Sequence, residues 1–284
     1  MRLLITGADG FTGKCFIDRA IKFGHKIHAL KSDLLNFEGI QNEISEFLPE
    51  GVVHLGAISS PTHQDSLEFY KVNVIGTTNL LEALSSVSLL LKKVLIASSA
   101  SVYGNSMNSP VSEESTPFPN NHYSCSKLSM EFLSLTYTNK LPICIARPFN
   151  YTGLGQNNFF VIAKIVSHFR EKLTKIELGN IKISREFNDV RFVCDAYLGL
   201  LEKAKVGEVY NICTGTHYSL EYILDLLIKM TENSIQIVIA PDLFRKNEIS
   251  KIYGSNEKLE LCIGNTRSFT INETLLWMLN GDLN

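Results

Sequence analysis

The chain has no Lys/Arg run longer than Lys92–Lys93, no Cys-x-x-Cys pair, no internal repeat and no low-complexity segment. It also lacks any stretch approaching the ~20 apolar residues of a membrane-spanning helix. Each absence removes a class. Nucleic-acid binding rests on a basic stripe, whereas 27 basic and 29 acidic residues leave a formal charge of -2. A structural zinc site needs clustered Cys and His. Cys15, Cys125, Cys144, Cys194, Cys213 and Cys262 are instead scattered, mostly in apolar stretches such as Pro142-Ile-Cys-Ile-Ala146. They read as buried free thiols with no metal to hold. The opening Met1-Arg-Leu-Leu-Ile5 runs straight into a turn at Gly7 and is too short for a signal peptide. The expectation is a soluble, cytoplasmic protein acting on a small charged metabolite, with neither nucleic acid nor membrane as partner.

What is present suits a large folded domain: 284 residues, 45% hydrophobic and 20% charged. Up to about residue 150, short apolar runs (Leu3–Thr6, Lys26–Leu30, Val52–Leu55, Val94–Ser98, Ile143–Arg147) alternate with helical stretches. Those stretches lie near Phe11–Phe23, Leu35–Phe47, Ser66–Leu84 and Tyr123–Thr138. Strands apolar on both faces and joined by helices predict an α/β fold, a doubly wound parallel sheet of Rossmann type. Lys26–Leu30 reaches Ser32-Asp33-Leu34 with little room for a crossover helix, which predicts a trimmed edge of the nucleotide half. Later segments predict helices near Phe160–Glu171, Phe192–Ala204, Ser219–Met230 and Ile271–Leu279. Strand-like pieces fall at Lys182–Asp189, Glu208–Cys213 and Ile235–Ile239. The division expected is a dinucleotide-binding domain over 1–150 plus roughly 187–215. A smaller C-terminal α/β substrate lobe would take 151–186 and 216–284.

Gly7-Ala-Asp-Gly10-Phe-Thr-Gly13 follows a strand and opens a helix. A dinucleotide site needs a tight turn, close backbone approach to the pyrophosphate, and helix packing against the strand, one glycine for each. The helix N-terminus then offers N–H groups to the phosphates. At the end of the second strand, where a carboxylate commonly meets the adenosine ribose, stands Leu30-Lys31-Ser32. Lys31 would attract a 2′-phosphate, which leans to NADPH with NADH as the alternative; a solvated surface Lys gives the same pattern. Asp33, before Leu34, is placed to accept from an adenine amino group.

Tyr123-Ser-Cys-Ser-Lys127 opens a helical stretch, so the two side chains share one helix face. An ammonium about 5 Å from a phenol, at an effective dielectric near 20, favours phenolate by roughly 3 kcal/mol, or about two pKa units. That brings the phenol toward general acid–base use. Alone, the spacing also fits a surface Lys stacked on a Tyr. Ser99, after the strand Val94–Ser98, stands where sheet ligands bind and can bond a substrate oxygen or merely complete a turn.

Taken in order, Gly7/Gly10/Gly13, His54-Leu-Gly-Ala57, Asn73-Val-Ile-Gly-Thr77, Ser98-Ser99 with Val102-Tyr-Gly104, Tyr123/Lys127 and Arg147-Pro-Phe-Asn150 resemble the extended short-chain dehydrogenase/reductase superfamily. The resemblance implies a catalytic set of Ser99, Tyr123 and Lys127, with Asn73 supporting the Lys127 site. It implies cofactor contacts at Gly7, Gly10, Phe11, Thr12, Gly13, Asp33, Leu34, Leu55, Gly56, Ala57, Asn73, Tyr123, Lys127 and Pro148. Arg147-Pro-Phe-Asn-Tyr-Thr-Gly-Leu-Gly-Gln156, Ser184-Arg-Glu-Phe-Asn-Asp-Val-Arg191 and Gly254-Ser-Asn-Glu-Lys258 are similar to GDP-4-keto-6-deoxy-mannose reductases.

In related 4,6-dehydratases a Glu stands two places after the catalytic hydroxyl residue. Related GDP-fucose synthases carry a Cys there and a His near Gly155. This chain has Ser101 and Gly155 instead. Dehydration and 3,5-epimerisation lose their tools, and plain ketone reduction of a GDP-linked sugar remains. Substrate contacts are then expected at Ser99, Asn150, Arg185, Arg245 and Glu248, with the arginines on the diphosphate. Two other readings stay open: a nucleotide-sugar 4-epimerase with tightly held NAD, and a non-catalytic dinucleotide-binding protein. By the same resemblance Thr78–Leu91 and Ser126–Thr138 would pair into a homodimer contact.

Overall fold

The computed structural model describes residues 1–59, 65–88, 90–105, 109–244 and 249–281. Its first half alternates as read: β1 (Arg2–Thr6), α1 (Phe11–Lys22), β2 (Lys26–Ala29), α2 (Phe37–Phe47), β3 (Gly51–His54), α3 (Ser66–Tyr70), α4 (Thr77–Ser86), β4 (Lys93–Ala97), α5 (His122–Leu135) and β5 (Ile143–Pro148). Then follow β6 (Tyr151–Thr152), α6 (Val161–Arg170), β7 (Lys175–Leu178), β8 (Ser184–Arg185), β9 (Asn188–Asp189), α7 (Val190–Lys203) and β10 (Val209–Ile212). The chain continues through β11 (Tyr218–Ser219), α8 (Leu220–Thr231), β12 (Gln236–Ile239), β13 (Lys251–Ile252), α9 (Glu257–Ile263) and α10 (Ile271–Asn280).

Six strands form one parallel sheet in the order β10-β5-β4-β3-β1-β2. Residues of β3 and β5 are buried throughout, as strands covered on both faces must be. One core, with Leu3, Ile5, Phe16, Val193 and Tyr197, packs α1 and α7 on one face; another, with Leu4, Ile40, Leu80 and Met130, packs α2, α4 and α5 on the other. A third, with Ile165, Leu178, Leu224 and Leu275, gathers α6, β7, α8 and α10.

The trimmed edge takes a particular form. The crossover helix is present in full as α2, and β2 is the outermost strand, half-buried or exposed along its length. From there the chain crosses β1 to place β3 on its other side, so the strand order reverses at β1. Ligands of such sheets bind in the crevice outside the carboxyl ends at that reversal.

Between α3 and α4, Lys71–Gly76 forms a π-helical turn inside what the sequence reads as one helix. Such turns recur at functional sites, and this one carries Asn73. The strand β7 and the helix α9 have no counterpart in the sequence reading: β7 alternates exposed and buried residues within four positions, and α9 spans only seven residues.

Candidate active site

Gly7 adopts φ +67°, and a Cβ on it would lie 2.7 Å from Gly56 N and 2.8 Å from Leu55 C. A Cβ on Gly10 would approach Gly7 O at 3.2 Å, and one on Gly13 would collide with the same oxygen. The turn therefore tolerates only glycine at 7 and 13, and it brings Leu55 and Gly56 against Gly7. Helix α1 begins at Phe11 with no side-chain cap and no acidic residue in its first turn, which leaves its N–H groups and partial positive charge for an anion. These residues fit a dinucleotide pyrophosphate. Leu34 packs on Gly56 and Gly76. The Asp33 carboxylate accepts from Leu35 N at 2.7 Å in its own loop.

A buried chain of hydrogen bonds fixes this edge. Gly56 N donates to Thr6 Oγ1 (2.8 Å), Thr6 Oγ1 lies 2.7 Å from His54 Nδ1, His54 Nε2 lies 2.8 Å from Thr77 Oγ1, and Thr77 donates to Asn73 O (2.7 Å). With both ends fixed, each hydroxyl has one donor to give, so His54 must carry its proton on Nε2. Burial, with some help from Lys127, pushes its pKa down to about 3, and it stays neutral.

Helix α5 starts with a capping box between Asn121 and Ser124, which sets Tyr123 and Lys127 one turn apart on its inner face. Ser99 stands close enough to Tyr123 to lower the pKa of its phenol, and Ser99 Oγ accepts from Ser101 N at 3.1 Å. The Tyr123 ring meets Phe69 edge-on at 6.0 Å. Lys127 Nζ is buried and donates to Ala97 O at 2.6 Å. Asn73 accepts from Ile58 N at 2.8 Å and donates to Ser126 Oγ at 3.0 Å; its support reaches Lys127 through the neighbouring residue.

One expectation is corrected here. Burial raises the Tyr123 pKa, and the neighbouring Ser99 only partly opposes it. The ammonium expected to lower it is turned to the Ala97 carbonyl, and its own pKa is depressed by burial to about 8, against a smaller opposing effect of Glu131. Two further hydroxyls, Ser98 Oγ and Ser101 Oγ, flank Ser99, buried and without hydrogen-bond partners. Polar atoms left so in a cleft are what a polar ligand satisfies.

Behind the site, Arg147 donates to both Glu131 oxygens at 2.9 and 2.6 Å and to Tyr103 OH at 2.9 Å, and Tyr103 donates to Asn211 Oδ1 at 2.8 Å. This network ties α5 to β5 and β10. Pro148 ends β5, and Asn150, exposed, passes its carbonyl to Asn188 N at 2.9 Å. Arg185 sits in β8, paired with β11 and β13, and donates to Ser184 O at 2.8 Å. Arg245 and Glu248 lie outside the described residues.

Two residues near the cleft escaped the sequence reading. Tyr151 stacks on Phe11 at 6.1 Å and 12°, and its hydroxyl lies 2.8 Å from Thr12 Oγ1. Glu43, on α2, places a carboxylate at the end of β2, where the sequence shows none. Neither carries a local signal, because both reach the cleft by tertiary packing. Among the described residues no cluster suits a metal ion, all six cysteines are free thiols, three of them buried, and no helix is long and apolar enough to cross a membrane.

A glycine turn at the reversal of a doubly wound sheet, with Ser99, Tyr123 and Lys127 at the adjoining strand end, defines an extended short-chain dehydrogenase/reductase, an NAD(P)-dependent oxidoreductase. Within it, the chain belongs to the family described as GDP-mannose 4,6 dehydratase, whose model matches residues 22–278. It is 36% identical to GDP-6-deoxy-D-talose 4-dehydrogenase of Aggregatibacter actinomycetemcomitans, over 97% of this chain and 96% of that one. It is 34% identical to GDP-6-deoxy-D-mannose reductase of Pseudomonas aeruginosa, over 98% and 96%. The structure of RMD from Pseudomonas aeruginosa complexed with NADPH superposes with a TM-score of 0.90 at 32% identity, covering 99% of this chain and 96% of that one.

Proposed function

We propose that this enzyme reduces the C4 keto group of a GDP-4-keto-6-deoxy sugar, with NADPH as reductant and NADH as the alternative. The observation that carries this reading is Tyr123 one turn of α5 from a buried Lys127 that bonds the end of β4, where Ser99 follows, beside the glycine turn. The relatives named for action on GDP-6-deoxy sugars, one of them explicitly at position 4, support the substrate and the carbon.

Reduction of a ketone needs a proton donor that is charged with its proton beforehand. A phenol whose pKa burial has raised is fully protonated at neutral pH, so Tyr123 has a proton to give to the C4 oxygen. Ser99 donates to the same oxygen and holds it in place. Lys127, buried beside the new phenolate, supplies the compensating charge when it leaves Ala97. When bound, the reduced nicotinamide supplies the hydride. Gly7, Gly10, Phe11, Thr12 and Gly13 would hold its pyrophosphate, and Asp33, Leu34, Leu55, Gly56, Ala57, Asn73 and Pro148 the rest of the dinucleotide. Ser101, a buried hydroxyl where acid–base groups stand in dehydratases, has nothing with which to remove a C5 proton. Asn150 and Arg185 face the sugar nucleotide on this reading, joined by Arg245 and Glu248.

The division into a dinucleotide domain over 1–150 plus roughly 187–215 and a substrate lobe belongs to the same proposal, as does a cytoplasmic homodimer. Exposed Ile75 and Phe132, 52% and 60% accessible on the α4–α5 side, supply apolar surface for the dimer contact. The deciding experiment incubates the enzyme with GDP-, dTDP-, CDP- and UDP-4-keto sugars and follows NADPH oxidation and the product's C4 configuration. Stoichiometric loss of NADPH with the GDP-linked substrates is expected. Isomerisation of a 4-hydroxy sugar without added reductant would instead establish an epimerase.

A further inference from the structure

Helix α2 delivers a carboxylate to the end of β2. Glu43 Oε1 accepts from Ser32 N at 2.7 Å, and its two oxygens accept from Lys31 N at 3.2 and 3.1 Å. His28 Nε2 lies 2.7 Å from Oε2, and the His28 ring stacks on Phe47 at 4.9 Å. Burial favours the protonated acid, yet the hydrogen bonds from Ser32, His28 and Lys31 outweigh it and draw the pKa down to about 2. The carboxylate is therefore always ionised near neutral pH, and its side chain remains 17% exposed toward solvent.

Its position gives this charge a meaning. β2 pairs with β1 in the register Ile5↔Ala29, so Lys31 and Ser32 lie beside the Thr6–Gly7 turn at the ligand edge. In such sheets the adenosine ribose of a dinucleotide rests there. NADH and NADPH differ only at that ribose, a 2′-hydroxyl in one and a 2′-phosphate in the other. Free backbone N–H groups and cations favour the phosphate; a carboxylate favours the hydroxyl, from which it accepts a hydrogen bond. Here the N–H groups of Lys31 and Ser32 are already committed to a carboxylate, while the exposed Lys31 side chain adjoins them.

We propose that Glu43 sets the dinucleotide preference of this enzyme: it takes the N–H groups that a 2′-phosphate would use and opposes the attraction of Lys31, so that NADH is accepted alongside NADPH. This rests on the dinucleotide reading of the glycine turn. It does not depend on which sugar is reduced.

The test is a titration of the full-length protein with NADH and with NADPH, followed by cofactor fluorescence and with no sugar present. For the unaltered protein the two Kd values should lie within about tenfold of each other. Glu43→Gln keeps the size but removes the charge; it should tighten NADPH about five- to tenfold, and NADH by less than about twofold. A preference of the unaltered protein for NADPH beyond about a hundredfold would overturn the proposal, whether or not the variant folds. So would a Kd ratio that Glu43→Gln leaves unmoved. Binding of neither cofactor would overturn the dinucleotide reading itself. Binding of both with no keto sugar reduced would overturn the reductase reading alone.

Discussion

The sheet half and the second lobe are held together by different means. In the sheet half, Leu3, Leu4, Ile5, Val52, Val53, Leu95 and Ile96 are wholly removed from water, and burial of that kind is non-directional. The second lobe has an apolar core of its own around Ile165, Leu178, Leu224 and Leu275, but what ties it to the sheet half is polar. Buried Glu186 accepts from Gly254 N (2.6 Å), Asn188 Nδ2 (2.9 Å) and Thr214 N (3.1 Å), stitching three segments to one carboxyl. Asp189 accepts from Arg191 and from Thr274 Oγ1 at 2.7 Å, and the Arg191 guanidinium lies 4.0 Å from both the Phe269 and Trp277 rings. Apolar strands can only be stacked, so their carboxyl ends line up and present backbone groups to a ligand. Polar anchors can be exchanged one at a time, so a seam built on them can be altered without disturbing the sheet.

If chemistry belongs to the sheet half and sugar-nucleotide binding to the lobe, removal of the Tyr123 hydroxyl should separate them most sharply. Tyr123→Phe should lower kcat by roughly 10²- to 10⁴-fold, the usual worth of a positioned general acid. Binding of NADPH and of GDP, measured by calorimetry, should stay within about twofold of the unaltered protein. A parallel loss of GDP affinity would break the division.

Lys127 tests the sheet half against itself, since on the proposed mechanism its charge serves chemistry at the expense of stability. Its folded pKa of about 8 lies below the ordinary lysine value of 10.5. Below pH 8 both states hold the proton and the full burial penalty stands; between about 8 and 10.5 the unfolded chain holds more protons, so stability rises with pH. Lys127→Met should therefore abolish turnover yet unfold at higher urea at pH 7, by an amount up to about 3 kcal/mol. The advantage should shrink by pH 10. A variant less stable than the parent at pH 7 would show that the bond to Ala97 outweighs the cost of burial.

In the lobe the sign is opposite. Burial pushes Glu186 up to about 7 in spite of its N–H donors. Folded Glu186 keeps its proton where the unfolded chain has lost it, so its contribution is complete below about pH 4.5 and falls away as pH rises to 7. Glu186→Gln cannot accept from all the same donors and should cost about 1–3 kcal/mol at pH 5, with the deficit narrowing toward pH 8 in urea unfolding. NADPH binding should be unaffected. A deficit that widens with pH would mean the carboxylate, and not the acid, holds the lobe.

This contrast also decides what could be read without coordinates. Runs such as Val94-Leu-Ile-Ala97 announce buried strands because every residue must be apolar, and Gly7 and Gly13 announce the turn because no Cβ fits there. Glu43 and Tyr151 announce nothing: each is an ordinary helix or strand residue until packing brings it to the cleft. A carboxylate does reach the end of β2, but it comes from Glu43 on the crossover helix, where the local sequence gives no sign of it. The expected depression of the Tyr123 pKa failed for a related reason, because spacing places Lys127 on the correct helix face but cannot say that its ammonium turns to Ala97. Arg245 and Glu248 lie outside the described residues.

The smallest effect falls where the two halves meet. Tyr151 continues the chain from Asn150 in β6, which pairs with β9 in the register Tyr151↔Asn188, while its hydroxyl meets Thr12 in the first turn of α1. Burial pushes its pKa up to about 12, so it remains a neutral hydrogen-bonding brace across the working range. Tyr151→Phe keeps the stack on Phe11 and removes only that bond, which should raise the Kd for NADPH about three- to tenfold. Thr12→Val removes the same bond from the other side. If the bond itself is responsible, the double variant should be no weaker than the worse single one; if the two losses multiply, Tyr151 and Thr12 act separately and the seam is not braced there.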